Sequence, residues 1–368
     1  MPCTEGRSPR PSQTNNIAFF ESELDFVFAL VILLLFLAVN GNKTCYFLID
    51  RRYAMLAERK RAALRSKFIG ALLGTAIGDA LGAPLEGWSS ARVVKVYGDA
   101  GRLELVGGRY TDDTEQMIGV AESLVRHAGF DGADMARTLV RNMNPKRGYG
   151  PGSRAAFERL RAGARWDEAA QGLFGGRGSY GNGAAMRIAP VGLLYYADRK
   201  KLREVAYCSS QITHTHELGK EGAALQAFAI ALALRDERDE MLSQLEDFVQ
   251  HELYKEKLRR MERLLRAGAR SGEIIAELGN GMAAFDSVPT AIYSFLRYED
   301  FERSVASAIR LGGDTDTIGA MTGAICGAYY GDQAIPSEWL ARLEDEEKGK
   351  RYIAQLAEEL YYITTAEQ

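Results

Sequence analysis

Hydrophobic residues recur at intervals of three and four positions through most of the chain from residue 67 onward. This spacing puts them on one side of an α-helix, which turns once in about 3.6 residues. It predicts helices over 67–85, 114–127, 133–143, 153–162, 184–196, 201–212, 219–234, 258–267, 288–296, 301–311 and 317–330. Strand-like alternation is scarce, and the best candidate, 103–106, is short. We therefore predict an all-α fold, a helical bundle in a single domain.

Two of the predicted helices carry glycine at every fourth position. Each glycine costs a helix about 1 kcal/mol relative to alanine, so four in register need a compensating contact. A face of small residues lets a neighbouring backbone approach closely. We infer two tightly packed core helices; if they pack against each other, the two ends of the domain meet. The glycines are Gly70, Gly74, Gly78 and Gly82 in one segment and Gly319, Gly323, Gly327 and Gly331 in the other.

The first 66 residues differ from the rest and are predicted to be an N-terminal extension. Residues 1–25 are polar, a composition typical of disorder. Residues 26–39 are fourteen apolar residues without a charge, fewer than the about 20 that span a membrane. A signal-peptide core, a short signal anchor and a gene-model extension all remain open. Acids precede the apolar run and bases follow it, so an anchor would leave the large domain in the cytosol.

Composition excludes several classes of function. The formal net charge of the 368-residue chain is −3, and no basic excess points to nucleic acid. Its four cysteines show no CxxC spacing, which argues against a structural zinc site and a disulfide framework and favours reduced, intracellular thiols. The charge-rich stretch 235–257 is predicted to be a solvated helical excursion and not a binding patch.

Two short carboxylate clusters carry the candidate chemistry. They are Thr111-Asp112-Asp113-Thr114 and Gly312-Gly313-Asp314-Thr315-Asp316-Thr317, and each precedes an apolar helical run. Such residues are also ordinary helix N-caps. A cap needs one acceptor, however, and each cluster offers at least three oxygen-bearing side chains in a row. Carboxylates this close repel unless a cation shares them, and oxygen ligands suit Mg²⁺, Mn²⁺ or Ca²⁺ better than zinc. The clusters therefore predict a hydrolytic site built on two divalent metals.

A third acid lies just beyond a predicted helix end. Pro84 ends the first helix at or just before Ala83, because proline disfavours a helical residue before it. Glu86 then follows on a potentially mobile loop, from which its carboxylate could reach a metal or a substrate. An ordinary exposed glutamate is the alternative.

Residues 174–187 form a glycine-rich segment that leads into a predicted helix. Backbone amides in such a loop can face a phosphate at a helix N-terminus. The segment is neither a Walker loop nor a dinucleotide fingerprint, because it lacks the Gly-Lys-Ser/Thr ending and a preceding strand. Phe174 and Tyr180 flank it, and either could stack on an adenine. A plain loop is the alternative.

Two further segments leave their interpretation open. The turn 144–153 contains Lys146 and Arg147 and is either an interhelical loop or a contact for an anionic group. His214 and His216 have a spacing that suggests a metal, but no third suitable ligand is near in the sequence. We expect His214 to hydrogen-bond a substrate or a core group instead.

Taken in order along the chain, these segments resemble the ADP-ribosylglycohydrolase family. The resemblance covers residues 67–365 and leaves 1–66 outside. It implies an all-α, single-domain orthogonal helical bundle with a binuclear metal site for two Mg²⁺, with Mn²⁺ as the alternative. The matching motifs are Gly78-Asp79 with Gly82 and Glu86, Thr111-Asp112-Asp113-Thr114, Gly181-Asn182-Gly183-Ala184-Ala185-Met186-Arg187 and Gly313-Asp314-Thr315-Asp316-Thr317.

Within the family, the chain is most similar to the third-type ADP-ribosylhydrolase branch. The similarity lies in the segments 147–150, 178–183 and 277–296. Members of that branch cleave serine-linked ADP-ribose, poly(ADP-ribose) and O-acetyl-ADP-ribose. Arg177 and Met282 depart from the branch, which has Lys and Ile at these positions.

The resemblance also implies roles for individual residues. One metal would be held by Thr111, Asp112, Asp113 and Asp316, and the other by Glu86, Asp314, Asp316 and Thr317, so that Asp316 is shared. Residues 177–183 and His214 would hold the pyrophosphate and the distal ribose, with the adenosine between two aromatic rings. The predicted substrate-binding residues are Phe174, Arg177, Gly178, Ser179, Tyr180, Gly181, Asn182, Gly183, His214 and Met282.

We therefore expect a hydrolase that cleaves the O-glycosidic bond between ADP-ribose and serine, and the ribose–ribose bonds of poly(ADP-ribose). Such cleavage passes through an oxocarbenium-like state that nearby carboxylates stabilise. Glu86 is the first candidate for the carboxylate that acts on the leaving group or the water, and Asp112 is the second. An ADP-ribosylarginine hydrolase, a phosphohydrolase that releases AMP and a non-catalytic ADP-ribose-binding protein are the alternatives.

The expected partners are ADP-ribose-modified proteins and poly(ADP-ribose), in a DNA damage response, without direct contact to nucleic acid. We expect a monomer in the cytoplasm or nucleus. A mitochondrial location and a membrane anchor at 26–39 remain open.

Overall fold

The computed structural model describes residues 43–99 and 103–366, with side chains from residue 54 onward. The chain divides into two compact units, Met1–Ala62 and Ala63–Gln368; the predicted boundary between residues 66 and 67 stays a prediction. The described residues contain sixteen α-helices: α1 (Lys43–Gly82), α2 (Ser90–Tyr97), α3 (Asp112–His127), α4 (Gly132–Asn142), α5 (Pro151–Arg161), α6 (Ala189–Leu194), α7 (Arg199–Gln211), α8 (Glu217–Leu234), α9 (Met241–Phe248), α10 (Glu252–Ala267), α11 (Ser271–Leu278), α12 (Ala284–Arg297), α13 (Phe301–Arg310), α14 (Thr315–Tyr330), α15 (Ser337–Arg342) and α16 (Lys350–Ala366).

The prediction of an all-α fold is confirmed, and each predicted segment overlaps a helix. Several helices begin earlier than predicted, because the polar residues of a first turn carry no apolar signal. The segment 184–196 is broken: a short 3₁₀ turn covers Asn182–Ala184, and α6 begins only at Ala189. Pro190 lies in the first turn of α6, where its missing N–H needs no helical partner.

The one candidate strand, 103–106, is wrong, since the described residues contain no strand there. Leu103 and Leu105 are buried while Glu104 and Val106 are exposed, so the alternation itself is real. Side chains take the place of a partner strand: Trp339 Nε1 donates to the carbonyl of Leu103 at 3.0 Å. The segment is thus extended, and side-chain donors bind its backbone carbonyl groups in place of a neighbouring strand.

The stretch 235–257 is only partly the solvated excursion that its charge predicts. It contains α9 and the start of α10. Met241, Leu245, Phe248 and Tyr254 from this stretch are almost fully buried. The charged residues occupy the outer face, so the stretch is an amphipathic part of the bundle.

Helix α8 lies in the centre of the helical core. It is buried on all sides from Glu221 to Leu234, and it packs against α6, α7, α12 and α14. A helix with no polar face is typical of such a central position.

The two glycine faces pack directly against each other. An ideal Cβ built on Gly74 would lie 2.2 Å from the carbonyl oxygen of Gly323, and one on Gly78 would lie 2.0 Å from that of Gly319. The same holds at both ends of the contact, from Gly70 against Gly327 to Gly82 against the carbonyl of Thr315. Helices α1 and α14 therefore touch backbone to backbone along four turns, in antiparallel directions. This contact is the compensation that the glycine pattern requires.

Residues Ala54–Leu85 are long and apolar enough to cross a membrane, but 89% of their most apolar window is buried inside the protein. That burial is typical of a core helix. The predicted apolar segment 26–39 lies outside the described residues.

Gly74→Ala should lower the free energy of unfolding by about 2 kcal/mol or more, because the new methyl group must push two backbones apart. Gly272→Ala is the matched control, since a Cβ there meets nothing within 4 Å. The control should be neutral or stabilise the protein by up to about 1 kcal/mol. Urea denaturation of the full chain measures both changes. Equal effects of the two substitutions would contradict the backbone contact.

Candidate functional site

The two carboxylate clusters meet at one cleft. The first cluster lies at the N-terminus of α3 and the second at the N-terminus of α14. The cleft is lined by every residue predicted to hold a metal: Glu86, Thr111, Asp112, Asp113, Asp314, Asp316 and Thr317. The antiparallel contact of α1 with α14 explains this meeting, because α1 ends where α14 begins.

The capping alternative holds for one residue of the first cluster. The Thr111 side chain accepts from the backbone N–H of Asp113 and caps α3. Asp314 occupies the N-cap position of α14, yet its side chain accepts no cap hydrogen bond from that helix. The carboxylates are therefore left available for another role.

Asp79 fixes the first cluster from behind. Its side chain is fully buried and accepts from the N–H groups of Thr111 and Thr114 at 3.0 Å and from the Thr114 hydroxyl at 2.6 Å. These bonds tie the last turns of α1 to the first turn of α3. The sequence motif contains Asp79 but does not mark it as a site residue; its role is to hold Thr111 to Asp113 in place.

Backbone hydrogen bonds bring Glu86 to the second cluster. Gly87 N–H donates to the carbonyl of Gly313, and Gly313 N–H donates to the carbonyl of Trp88, both at 2.8 Å. Gly313 adopts a φ of +77°, and a Cβ there would collide with the carbonyl of Asn280. The loop that was predicted to be mobile is thus anchored directly after Glu86, while the Glu86 residue itself is exposed.

Burial disfavours the ionised form of the carboxylates in the cluster and so raises their pKa values. Burial and the nearby Asp79 raise the pKa of Asp112 to about 7, and burial raises the pKa of Asp79 itself to about 6. Burial together with neighbouring carboxylates also holds the pKa values of Asp113 and Asp316 well above their usual range. Carboxylates in this state hold their protons to a higher pH than an ordinary aspartate does, unless a cation offsets their repulsion.

The donors fit a divalent cation. One carboxylate oxygen from each of Glu86, Asp314 and Asp316 lies within 4.8 Å of the others. Asp113 Oδ2 is buried and has no hydrogen-bond partner among the described residues, which is costly for a polar atom that binds nothing. Hard oxygen donors of this kind suit Mg²⁺ or Mn²⁺.

The opposite wall of the cleft comes from the glycine-rich segment and its neighbours. Seven of the ten predicted substrate-binding residues line the cleft: Phe174, Ser179, Gly181, Asn182, Gly183, His214 and Met282. Arg177, Gly178 and Tyr180 do not. Arg177 is exposed, Gly178 packs against Thr215, and the Tyr180 ring packs edge-on to His216 and tilted against Phe285.

Gly178 and Gly183 of this segment allow close packing, whereas a Cβ on Gly175 or Gly176 would meet nothing within 4 Å. A Cβ on Gly183 would lie 2.7 Å from His214 Cε1, and one on Gly178 would lie 2.2 Å from Thr215 Oγ1. The segment is also held to the loop before α12, because Asn182 N–H donates to the carbonyl of Met282 at 2.9 Å. Asn182 Nδ2 donates to Asp314 Oδ2 at 2.5 Å, so this wall is bonded to the second carboxylate cluster.

Phe174 stands at the rim in a strained conformation. It has a φ of +54°, which is uncommon for a residue with a side chain, and half of its surface is exposed (51%). Its ring lies over Gly152, where a Cβ would come within 3.2 Å of it. Residues in such strained conformations cluster at active sites and ligand contacts, so Phe174 is a candidate for a ligand contact.

Sequence reasoning missed part of the cleft. Its remaining lining residues are Gly148, Gly150, Pro151, Gly152, Ser153 and Met186. The sequence suggests a possible anion contact at the turn 144–153, but neither of its two bases lines the cleft. Arg147 pairs with Glu344 at 2.5 Å, and Lys146 is exposed. The residues of that turn that could have indicated a role in the cleft are its glycines and its proline, which line it.

The two histidines lie in different environments. His216 caps α8, since its Nδ1 accepts from the N–H of Leu218 at 3.1 Å. His214 is buried at the cleft. Among the described residues, the group close enough to hold a metal consists of acids alone.

Comparisons with known sequences and structures find related proteins. The sequence model of a family described as ADP-ribosylglycohydrolase matches residues 60–368. The chain is 36% identical over 329 residues to ADP-ribosylhydrolase ARH3 of Homo sapiens, which covers 77% of this chain and 90% of the relative. It is 38% identical over 321 residues to a protein of Archaeoglobus fulgidus, and this match covers 82% of this chain and 97% of the relative. A solved structure titled "ADP-ribosylglycohydrolase-related protein complex" superposes with a TM-score of 0.65 at 29% identity, covering 82% of this chain and 99% of that one.

The raised pKa values determine whether the free energy of unfolding rises or falls with pH. Between the ordinary aspartate value of 3.8 and the Asp112 value of about 7, the folded metal-free protein binds more protons than the unfolded chain. Its free energy of unfolding should therefore fall as the pH rises through this interval. Added Mg²⁺ should raise the melting temperature by roughly 5 °C at neutral pH and by little near pH 5, because protons compete with the cation.

Thermal melts of the full chain with a chelator or with Mg²⁺, across this pH range, measure the effect. Asp316→Asn should make the pH dependence shallower and abolish the Mg²⁺ shift. A shift that is equal at both pH values, or that survives in Asp316→Asn, would contradict a cation at the cluster.

Proposed function

This chain is a hydrolase that belongs to the ADP-ribosylglycohydrolase family, and we propose that its substrates are serine-linked ADP-ribose on proteins and the ribose–ribose bonds of poly(ADP-ribose). The product would be free ADP-ribose. The observation that carries the proposal is the single cleft in which all seven candidate metal ligands face the glycine-rich wall with His214. The proposal is also supported by relatives named ADP-ribosylhydrolase ARH3, at 36% identity over most of their length.

Two divalent cations, Mg²⁺ or Mn²⁺, would fit the two ends of the carboxylate cluster. Thr111, Asp112, Asp113 and Asp316 would hold one, and Glu86, Asp314, Asp316 and Thr317 the other. When bound, such ions supply positive charge that orients ribose hydroxyls and activates water.

Different residues along the cleft would then bind different parts of the ADP-ribose. The backbone of Gly181 to Gly183 and the ring of His214 would bind the pyrophosphate and the distal ribose, which places the anomeric carbon over the acids. Phe174, exposed at the rim, would stack on the adenosine. Tyr180 is proposed for a second contact at the rim, although its ring is engaged with His216 and Phe285.

Glu86 is the proposed acid and base. As the bond from the anomeric carbon to the serine Oγ breaks, the oxygen needs a proton and the ring gains positive charge. Glu86 is the exposed member of the cluster, and burial of its carboxyl together with Asp314 raises its pKa. Its carboxyl would donate a proton to the serine Oγ and accept one from the attacking water.

ADP-ribosylarginine hydrolysis remains the second candidate, because it uses the same sugar and the same cleft and differs in the leaving group. A protein that only binds ADP-ribose is less well supported, since none of the predicted cation ligands is missing from the cleft. The proposed setting is a monomer in the cytoplasm or nucleus; residues 26–39 lie outside the described part of the chain and leave membrane anchoring as a prediction.

Incubation with a serine-ADP-ribosylated and an arginine-ADP-ribosylated peptide, with and without Mg²⁺, separates these functions. We expect release of ADP-ribose from the serine peptide, dependent on the cation, because its leaving oxygen is the one that Glu86 would protonate. Mass spectrometry identifies the product. Release from the arginine peptide alone would replace the proposal by the second candidate, and AMP as the product would refute glycosidic cleavage.

Glu86→Gln should lower kcat by at least about a hundredfold, the usual size of a lost general acid, while the Kd for ADP-ribose changes by less than about fivefold. The matched control is Glu299→Gln, an exposed glutamate that does not line the cleft. Calorimetry gives the affinity and the serine-peptide assay gives the rate. Normal turnover in Glu86→Gln would remove Glu86 from the chemistry.

A further inference from the structure

We propose that Arg187 is a positioning residue that fixes two parts of the cleft at once: Asp112 through Gln116, and the Nε2–H tautomer of His214 through Thr213. The inference deepens the proposed function, because it concerns the same cleft. It adds three buried side chains to the site, Arg187, Gln116 and Thr213, and a defined proton position on His214.

Arg187 is a fully buried arginine with 0% exposure. It lies between the 3₁₀ turn Asn182–Ala184 and α6. Its Nη1 donates to Gln116 Oε1 at 2.6 Å, and its Nη2 donates to Thr213 Oγ1 at 2.9 Å and to the carbonyl of Ser209 at 3.2 Å. A charge buried so completely is costly, so these contacts must hold a defined arrangement.

The hydrogen bond from Arg187 to Gln116 determines the orientation of the Gln116 amide. Arginine can only donate, so the Gln116 oxygen must face Arg187 and its NH₂ group must face away. Gln116 Nε2 indeed donates to Asp112 Oδ2 at 2.7 Å. Arg187 thereby holds one oxygen of Asp112 and leaves the other for the cleft.

The arm through Thr213 determines where the proton of His214 lies. Thr213 is fully buried, and its Oγ1 already accepts from Arg187. The other partner of this oxygen among the described residues is His214 Nδ1, at 2.7 Å. The hydroxyl proton therefore has one acceptor to go to, which is Nδ1. A neutral imidazole that accepts at Nδ1 carries its proton on Nε2.

The Nε2–H group then faces the glycine-rich wall. A Cβ on Gly183 would lie 3.0 Å from His214 Nε2, and one on Gly181 would lie 3.4 Å from it. The ring thus offers a donor to an oxygen of the ligand in the cleft. Burial and the positive charge of Arg187 lower the pKa of His214 to about 3, so the ring stays neutral and keeps this donor at physiological pH.

Long-range ¹H–¹⁵N spectroscopy of the full chain tests the tautomer directly. The chain has four histidines, and His214→Gln assigns the signal. We expect the Nε2–H pattern for His214, unchanged between about pH 5.5 and 8. A His214 that is Nδ1–H, or that titrates in this range, would overturn the proposal.

Two variants separate positioning from mere packing. Thr213→Val keeps the shape but removes the hydroxyl, so a Nδ1–H population should appear and the Kd for ADP-ribose should rise about tenfold, the worth of one hydrogen bond. Thr213→Ser should restore both. Gln116→Met should weaken Mg²⁺ binding about tenfold and leave the His214 pattern unchanged.

Failure of this inference is distinguishable from failure of the proposed function. Metal-dependent release of ADP-ribose by a protein whose His214 is Nδ1–H would refute only the positioning role of Arg187. The expected tautomer in a protein that hydrolyses neither peptide would refute the proposed function and leave this positioning role in place. If Thr213→Val changes neither the tautomer nor the affinity, Thr213 does not position His214.

Discussion

The close contact between the glycine faces of α1 and α14 is the constraint on which the rest of the structure depends. At four successive turns, the backbone of one helix occupies the space that a Cβ of the other would need. Because the helices run antiparallel, the end of α1 meets the start of α14. Glu86 therefore emerges beside Asp314 and Asp316, and Asp79 in the last turns of α1 reaches the start of α3. One backbone contact thus assembles acids that lie far apart in the sequence.

The assembled acids create an electrostatic problem that organises the cleft around them. Burial raises the pKa of each of the four aspartates, so the metal-free fold favours protonated carboxyls. Divalent cations would resolve this repulsion and would convert a destabilising cluster into a reactive one. The neutral groups behind the cluster hold its oxygens in place: Gln116 donates to Asp112, and Asn182 donates to Asp314. The carboxylates that the function needs therefore lower the stability of the metal-free fold.

The features that could be predicted from sequence were those with a local signature. The glycine faces have a period of four, and the acids stand in short clusters before helices, so the sequence showed both. Arg187 and Thr213 gave no such signal, because their partners come from other segments of the chain and only packing brings them together. Tyr180 and Arg177 belong to the predicted loop but do not line the cleft, and the Tyr180 ring packs against His216 and Phe285, which come from other segments of the chain. Charge alone misjudged 235–257, where a buried apolar face lies beneath the charged one.

Electron paramagnetic resonance of the full chain with Mn²⁺ tests most directly whether the two clusters form one site. We expect two ions per chain with a spin-coupled spectrum, because Asp316 would be shared between them, and a changed spectrum when ADP-ribose is added. Asp316→Asn should abolish the coupling. Two uncoupled ions, or a coupled pair that ADP-ribose does not affect, would contradict a shared site that binds the substrate through its metals.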